Sequence, residues 1–126
     1  MKRAILVSCA VLAASYANAM DAKELAGFCE KDISYAGAYI SGFLDTWHEN
    51  ELAMVIVKNE VKEERAVKTI RQFVVGKFCI PPKANVALGI RVACDWVETH
   101  PEMGDIRASR AIFNAYNAAW PCIFDQ

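Results

Sequence analysis

The sequence predicts an all-α protein: a small disulfide-linked bundle of about four to five helices, ending in an antiparallel helix hairpin. Three observations predict it. Apolar residues recur at helical spacing along most of the 126-residue chain. Proline and glycine fall between those stretches, in "CIPP", "HPE" and "WPC". Four cysteines, Cys29, Cys79, Cys94 and Cys122, follow a segment with the form of a secretory leader.

That leader is "MKRAILVSCAVLAASYANA", residues 1–19. Lys2 and Arg3 begin it, Ala4 to Ala14 form a short apolar run, and "ANA" has the small-x-small form cut by signal peptidase. The run is too short to span a bilayer. "LVSC" at Leu6 to Cys9 looks like a lipoprotein acylation box, but cutting there leaves too short an apolar core ahead of Cys9. The expected organisation is therefore a signal peptide, 1–19, and one helical domain, 20–126. The exported chain would sit in an oxidising compartment, with no membrane attachment after cleavage. Its charge moves from −1 to −3 once Lys2 and Arg3 leave, which argues against a nucleic-acid partner.

The first helix starts at "DAKEL", where Asp21 stands three residues before Glu24 in the form of a capping box. Leu25, Phe28 and Cys29 share its inner face. The second carries Ala36, Tyr39, Ile40, Phe43, Leu44 and Trp47 on one stripe, with Gly37 and Gly42 as places of close backbone approach. Met54 to Val57 has strand-like β-branching, yet reads best as a continuing helix. "KNEVKEER" reads as a solvated charged stretch containing a turn. Val67, Ile70 and Val74 return to helical spacing, and Gly76 stops them. A further helix spans Ala84 to Thr99 with Val86, Ile90, Ala93, Cys94 and Val97 inward, ending before Pro101. The last runs from about Ile106 to Ala119, with Ile112, Phe113, Tyr116 and Trp120 inward.

The hairpin decides the cysteine pairing. The His100-Pro101 break lies midway between Cys79 and Cys122, so these two should meet at the hairpin's open end. Cys94 sits about 15 Å along its helix from Cys79, beyond the ~7 Å that disulfide Cα atoms allow. Cys94 with Cys122 fails for the same reason. Cys79–Cys122 and, by elimination, Cys29–Cys94 remain.

No constellation here encodes catalysis. Ser41, Asp45 and His48 have triad composition but step along one helix face, where they cannot converge on a single point. His48 and His100 lack the spacing of a metal site. There is no CxxC, hence no redox motif or zinc ribbon, and no CxxCH for haem. Trp47, Trp96 and Trp120 read as core rather than as a ligand cage. The expectation is a non-enzyme without cofactor.

"AYISG" on a helix, then "CIPP", then helices ending "HPE" and "WPC", together resemble the Rap/Tai immunity family, from Phe28 to Cys122. Two features depart from the family pattern. Ala36 stands where the family commonly has a cysteine, and Cys94 supplies a relocated partner for Cys29. The stretch from Asn50 to Lys77 matches nothing in the pattern. The resemblance implies a small periplasmic helical protein that neutralises a peptidoglycan amidase delivered by type VI secretion. It would bind the amidase's substrate groove and do no chemistry of its own. Homodimer formation is implied as well. Exposure and polarity mark two candidate contact regions: Glu60, Glu63 and Glu64 in the charged stretch, and Glu102 and Asp105 in the hairpin turn. The alternative class is a small periplasmic disulfide-linked stress chaperone, or another protein-binding module of the same fold.

Overall fold

The computed structural model describes residues 19–122; apart from Ala19, the expected leader lies outside them. Five α-helices follow in order: α1 Ala22–Lys31, α2 Ile33–Glu60, α3 Glu64–Val74, α4 Val86–Thr99 and α5 Ala108–Ala119. A single 3₁₀ turn, Pro101–Met103, joins the last two. The described residues contain isolated bridges but no strand. No helix among them is long and apolar enough to cross a membrane.

Local chemistry sets the helix ends. The Glu24 amide donates to the Asp21 carboxylate at 2.7 Å, and the Asp21 amide donates to the Glu24 carboxylate at 3.0 Å, so the capping box is complete. Asp32 serves two helices. Its amide closes α1 on the Phe28 carbonyl, while its carboxylate accepts from the Tyr35 amide at the start of α2. Asn85 caps α4 in the same way, accepting from the Leu88 amide at 2.9 Å.

The core lies between α1, the first half of α2, and the α4–α5 hairpin. Leu25, Ala36, Ile40, Phe78, Ala93, Ala111, Ile112 and Tyr116 are its fully or nearly fully enclosed side chains. Burying residues of this size contributes roughly 1.5–3 kcal/mol for each large aliphatic or aromatic one. Tyr116 is buried with its hydroxyl donating to the Gly89 carbonyl at 3.1 Å. A Cβ at Gly89 would sit 3.0 Å from that hydroxyl and 3.2 Å from Leu44 Cδ1, so glycine sets how closely α4 and α5 pack. Gly37 also lies against a neighbour, Ile90, whereas Gly42 faces open space and is no point of close approach.

Two disulfides fasten this core. Cys29–Cys94 ties α1 to α4, and Cys79–Cys122 closes the open end of the hairpin. At that end the chain also pairs with itself: the Cys79 amide donates to Trp120 and the Cys122 amide to Lys77. The sequence separations of 65 and 43 correspond to about 4 kcal/mol each in the chain-entropy account.

α2 is longer than its first apolar stripe suggests. The helix passes through Met54–Val57 without interruption and stops at Glu60, because Val61 adopts extended backbone. α3 then folds back on α2 and has no buried residue. One inward assignment on α4 is corrected: Val86 is 51% exposed. It sits at the first position of the helix, directly after its cap, before α4 reaches the core.

Candidate functional site

Contacts advance together along α2 and α5. Tyr39 accepts from the Ser109 backbone, Phe43 meets Phe113 edge-on at 5.1 Å, and Trp47 stacks on Phe78 at 5.4 Å. Phe78 in turn bridges to Pro121. α2 therefore runs from the hairpin turn toward the open end, and its second half continues past that end. About thirteen residues beyond Trp47 add roughly 20 Å of helix. With α3 laid against it, this second half forms a projecting arm.

Three polar contacts fix the arm's root. The Trp47 indole N–H donates to the Val75 carbonyl at 2.8 Å, Asn50 donates to the Val74 carbonyl at 3.3 Å, and Arg71 pairs with Glu51 at 2.6 Å. Beyond α3, Val75 and Phe78 drop into full burial. Gly76 makes that descent possible at φ +87, a backbone region in which side chains are strained. A Cβ there would also lie 2.8 Å from Phe78 and 2.9 Å from Phe113.

Met54 is the one residue of α2's outer half that is buried. Leu52, Val55 and Ile56, at i, i+3 and i+4, remain open to solvent, Ile56 at 65%. On α3, Phe73 is 75% exposed. Exposed apolar faces of this kind mark interaction surfaces. The sequence carries a signal for this face: "LAMVIV" is apolar all round, and only one side of a helix can rest on α3.

The five candidate carboxylates divide into two groups. Glu60 ends α2, Glu63 precedes α3 without a side-chain capping bond, and Glu64 begins α3; all three are exposed at the arm's tip. Glu102 and Asp105 are exposed at the other end of the molecule, where with Glu98 and Lys23 they line a depression of about 330 Å³. The turn that carries them is pinned by its backbone. The Ala22 and Lys23 amides, two of the unpaired donors at the start of α1, donate to the Ile106 and Gly104 carbonyls.

Ser41, Asp45 and His48 lie along α2 with no hydrogen bond joining their side chains, Ser41 half-buried and the other two exposed. His100 stacks on Trp96 at 4.3 Å and bonds the Trp96 carbonyl at 2.8 Å, far from His48 in role and setting. Among the described residues no group of three His, Cys, Asp or Glu is placed to hold a metal ion. Trp47 and Trp120 pack against the core aromatics Phe78 and Tyr116. The arrangement offers a rigid body and a projecting arm, which suits recognition of another macromolecule.

A family model described as Rap1a immunity proteins matches residues 8–122. No curated protein and no solved structure matches the chain.

Proposed function

The chain belongs to the Rap1a family of immunity proteins, and on that premise we propose that it binds a secreted peptidoglycan amidase and blocks its active-site groove. The general immunity role comes from the family; the amidase target, the groove and the compartment are our reading. On this reading residues 1–19 export the domain of residues 20–126 to the periplasm, and the amidase arrives there by type VI secretion.

The observation that carries the mechanism is the arm. A groove blocker needs a projecting element whose ordering cost is met before binding. The α2–α3 turn meets that need. It stands at the end of two helices rooted by the Trp47–Val75, Asn50–Val74 and Arg71–Glu51 contacts, beside a disulfide-closed core. Glu60, Glu63 and Glu64 at the tip would enter the groove. The reading includes a homodimer in which a second copy covers Leu52, Val55, Ile56 and Phe73. No side chain of this chain takes a chemical step; inhibition is by occupancy.

The test is inhibition of purified peptidoglycan amidases of the type VI secreted class, assayed one by one on purified peptidoglycan with and without stoichiometric protein. Loss of amidase activity in a stable complex is expected. Full activity in the presence of excess protein rejects the reading.

A further inference from the structure

The two disulfides differ in how a thiol can reach them. Cys29–Cys94 joins residues inside two packed helices, and these are only 9% and 6% exposed. A depression passes beside the bond, but neither cysteine can swing outward without parting α1 from α4. Cys79–Cys122 joins two segments that lie outside the helices, one after α3 and one after α5. Both of its cysteines are half-buried, and both line a depression of about 190 Å³ with Gly76 and Lys77. Exchange requires a thiolate to reach one sulfur of the bond, so access decides which disulfide reacts.

We propose that Cys79–Cys122 is a thiol–disulfide exchange site for a dithiol reductant of the CxxC class, and that opening it loosens the arm while Cys29–Cys94 keeps the core closed. One thiolate of the reductant attacks a sulfur of the pair. A mixed disulfide forms, the Cys79–Cys122 bond breaks, and the other sulfur leaves as a thiolate that takes up a proton. The reductant's second thiol then attacks the mixed disulfide. The dithiol ends as a disulfide, oxidised by two electrons, and Cys79 and Cys122 end as two thiols.

The fold couples this bond to the arm. Cys79 directly follows Val75–Phe78, the stretch by which the chain leaves α3 and enters the core. The Trp47 indole holds the Val75 carbonyl, and its ring stacks on Phe78. Once the bond is open, three hydrogen bonds tie this stretch to the end of α5. The Lys77 amide donates to the Asn117 side chain at 2.9 Å, the Cys79 amide to the Trp120 carbonyl at 2.9 Å, and the Cys122 amide to the Lys77 carbonyl at 3.2 Å. Each contributes modestly on its own, so the stretch frays more readily without its cross-link. The same bonds keep the two thiols near each other, so oxidation restores the disulfide. The inference rests on the two cross-links and holds whichever protein the arm recognises.

Three measurements on the oxidised full mature chain test it. The first is timed reduction by dithiothreitol without denaturant, quenched with iodoacetamide and read by peptide mapping. Cys79 and Cys122 should be labelled at least about tenfold faster than Cys29 and Cys94, through an intermediate carrying two labels. Labelling of all four cysteines in one step, or of Cys29 and Cys94 first, overturns the proposal. The second is capture by a thioredoxin whose second active-site cysteine is replaced by serine. A mixed disulfide on Cys79 or Cys122 is expected; an adduct on Cys29 or Cys94, or none where dithiothreitol does cut Cys79–Cys122, overturns the assignment to a protein dithiol. The third is hydrogen exchange on the two-label intermediate. Exchange should quicken across α3 and Val75–Phe78 and stay unchanged in α1. Unchanged exchange in α3, or equal loss of protection in α1, overturns the coupling to the arm.

Discussion

The indole N–H of Trp47 meets the Val75 carbonyl at 2.8 Å, joining the middle of α2 to the residue that closes α3. One ring thereby does two jobs, since it also stacks on the buried Phe78. Trp47→Phe keeps an aromatic ring there and leaves the carbonyl without its donor. The expected cost is about 1–2 kcal/mol, felt mainly by the arm. Hydrogen exchange should quicken across Glu64–Val74 and stay unchanged in α5. Uniform loss of protection over both would show that the bond supports the whole fold instead.

Removing the bond at the hairpin's open end should be costly. The double substitution Cys79→Ser and Cys122→Ser is expected to lower stability by about 4 kcal/mol, read as the loss in chemical denaturation of the oxidised protein. A loss under about 1 kcal/mol would mean that the two backbone bonds between Lys77–Cys79 and Trp120–Cys122 hold this end unaided.

Gly76→Ala combines a strained backbone with contacts under 3 Å to Phe78 and Phe113. The left-handed conformation alone costs roughly 1–2 kcal/mol, so a total above about 2 kcal/mol is expected in urea titration. Gly42→Ala, where nothing lies within 4 Å, should instead be neutral or mildly stabilising.

Burial pushes the Tyr116 phenol well above its ordinary value. A raised folded-state value means that the unfolded chain ionises first as pH climbs. The contribution is complete below about pH 10 and declines above it, because the unfolded state then binds fewer protons than the folded one. Stability curves at increasing pH should fall in the alkaline range for the native chain. Tyr116→Phe should be less stable near neutrality, having lost the bond to Gly89, and should fall less steeply. Parallel curves would exclude Tyr116 as the source.

Charge reversal should separate the two ends of the molecule. Glu63→Arg with Glu64→Arg is expected to weaken amidase inhibition about tenfold or more, through repulsion or lost pairing at the arm's tip. Glu102→Arg with Asp105→Arg, beside α1, should leave inhibition intact. The opposite pattern would move the contact to the hairpin turn.

Legibility followed locality. The α1 capping box depends on Asp21 and Glu24 alone, and the hairpin on a His-Pro break between two striped helices, so both could be read from the chain. The inner face of α2 was equally plain, since Ala36 and Ile40 sit on a single stripe. The arm was not. Where a helix continues outside the core, its apolar residues keep helical spacing and lose their burial. Periodicity cannot distinguish Leu52 and Ile56, which face water, from Ile40, which does not. Val86 shows the same limit at the scale of one residue. Among the candidate carboxylates, exposure was legible from polarity. Their separation to opposite ends depended on the path of α2 past Phe113 and Phe78, which is a non-local matter.

The order in which the cysteines pair has a topological consequence. Cys29–Cys94 and Cys79–Cys122 interleave along the chain, so neither closed loop lies inside the other. Any single peptide-bond cleavage between Cys29 and Cys122 leaves both fragments covalently attached. That includes cleavage at the exposed turn between Glu60 and Glu64. Shedding a piece from between Cys29 and Cys122 therefore takes two cuts, or one cut and a reductant.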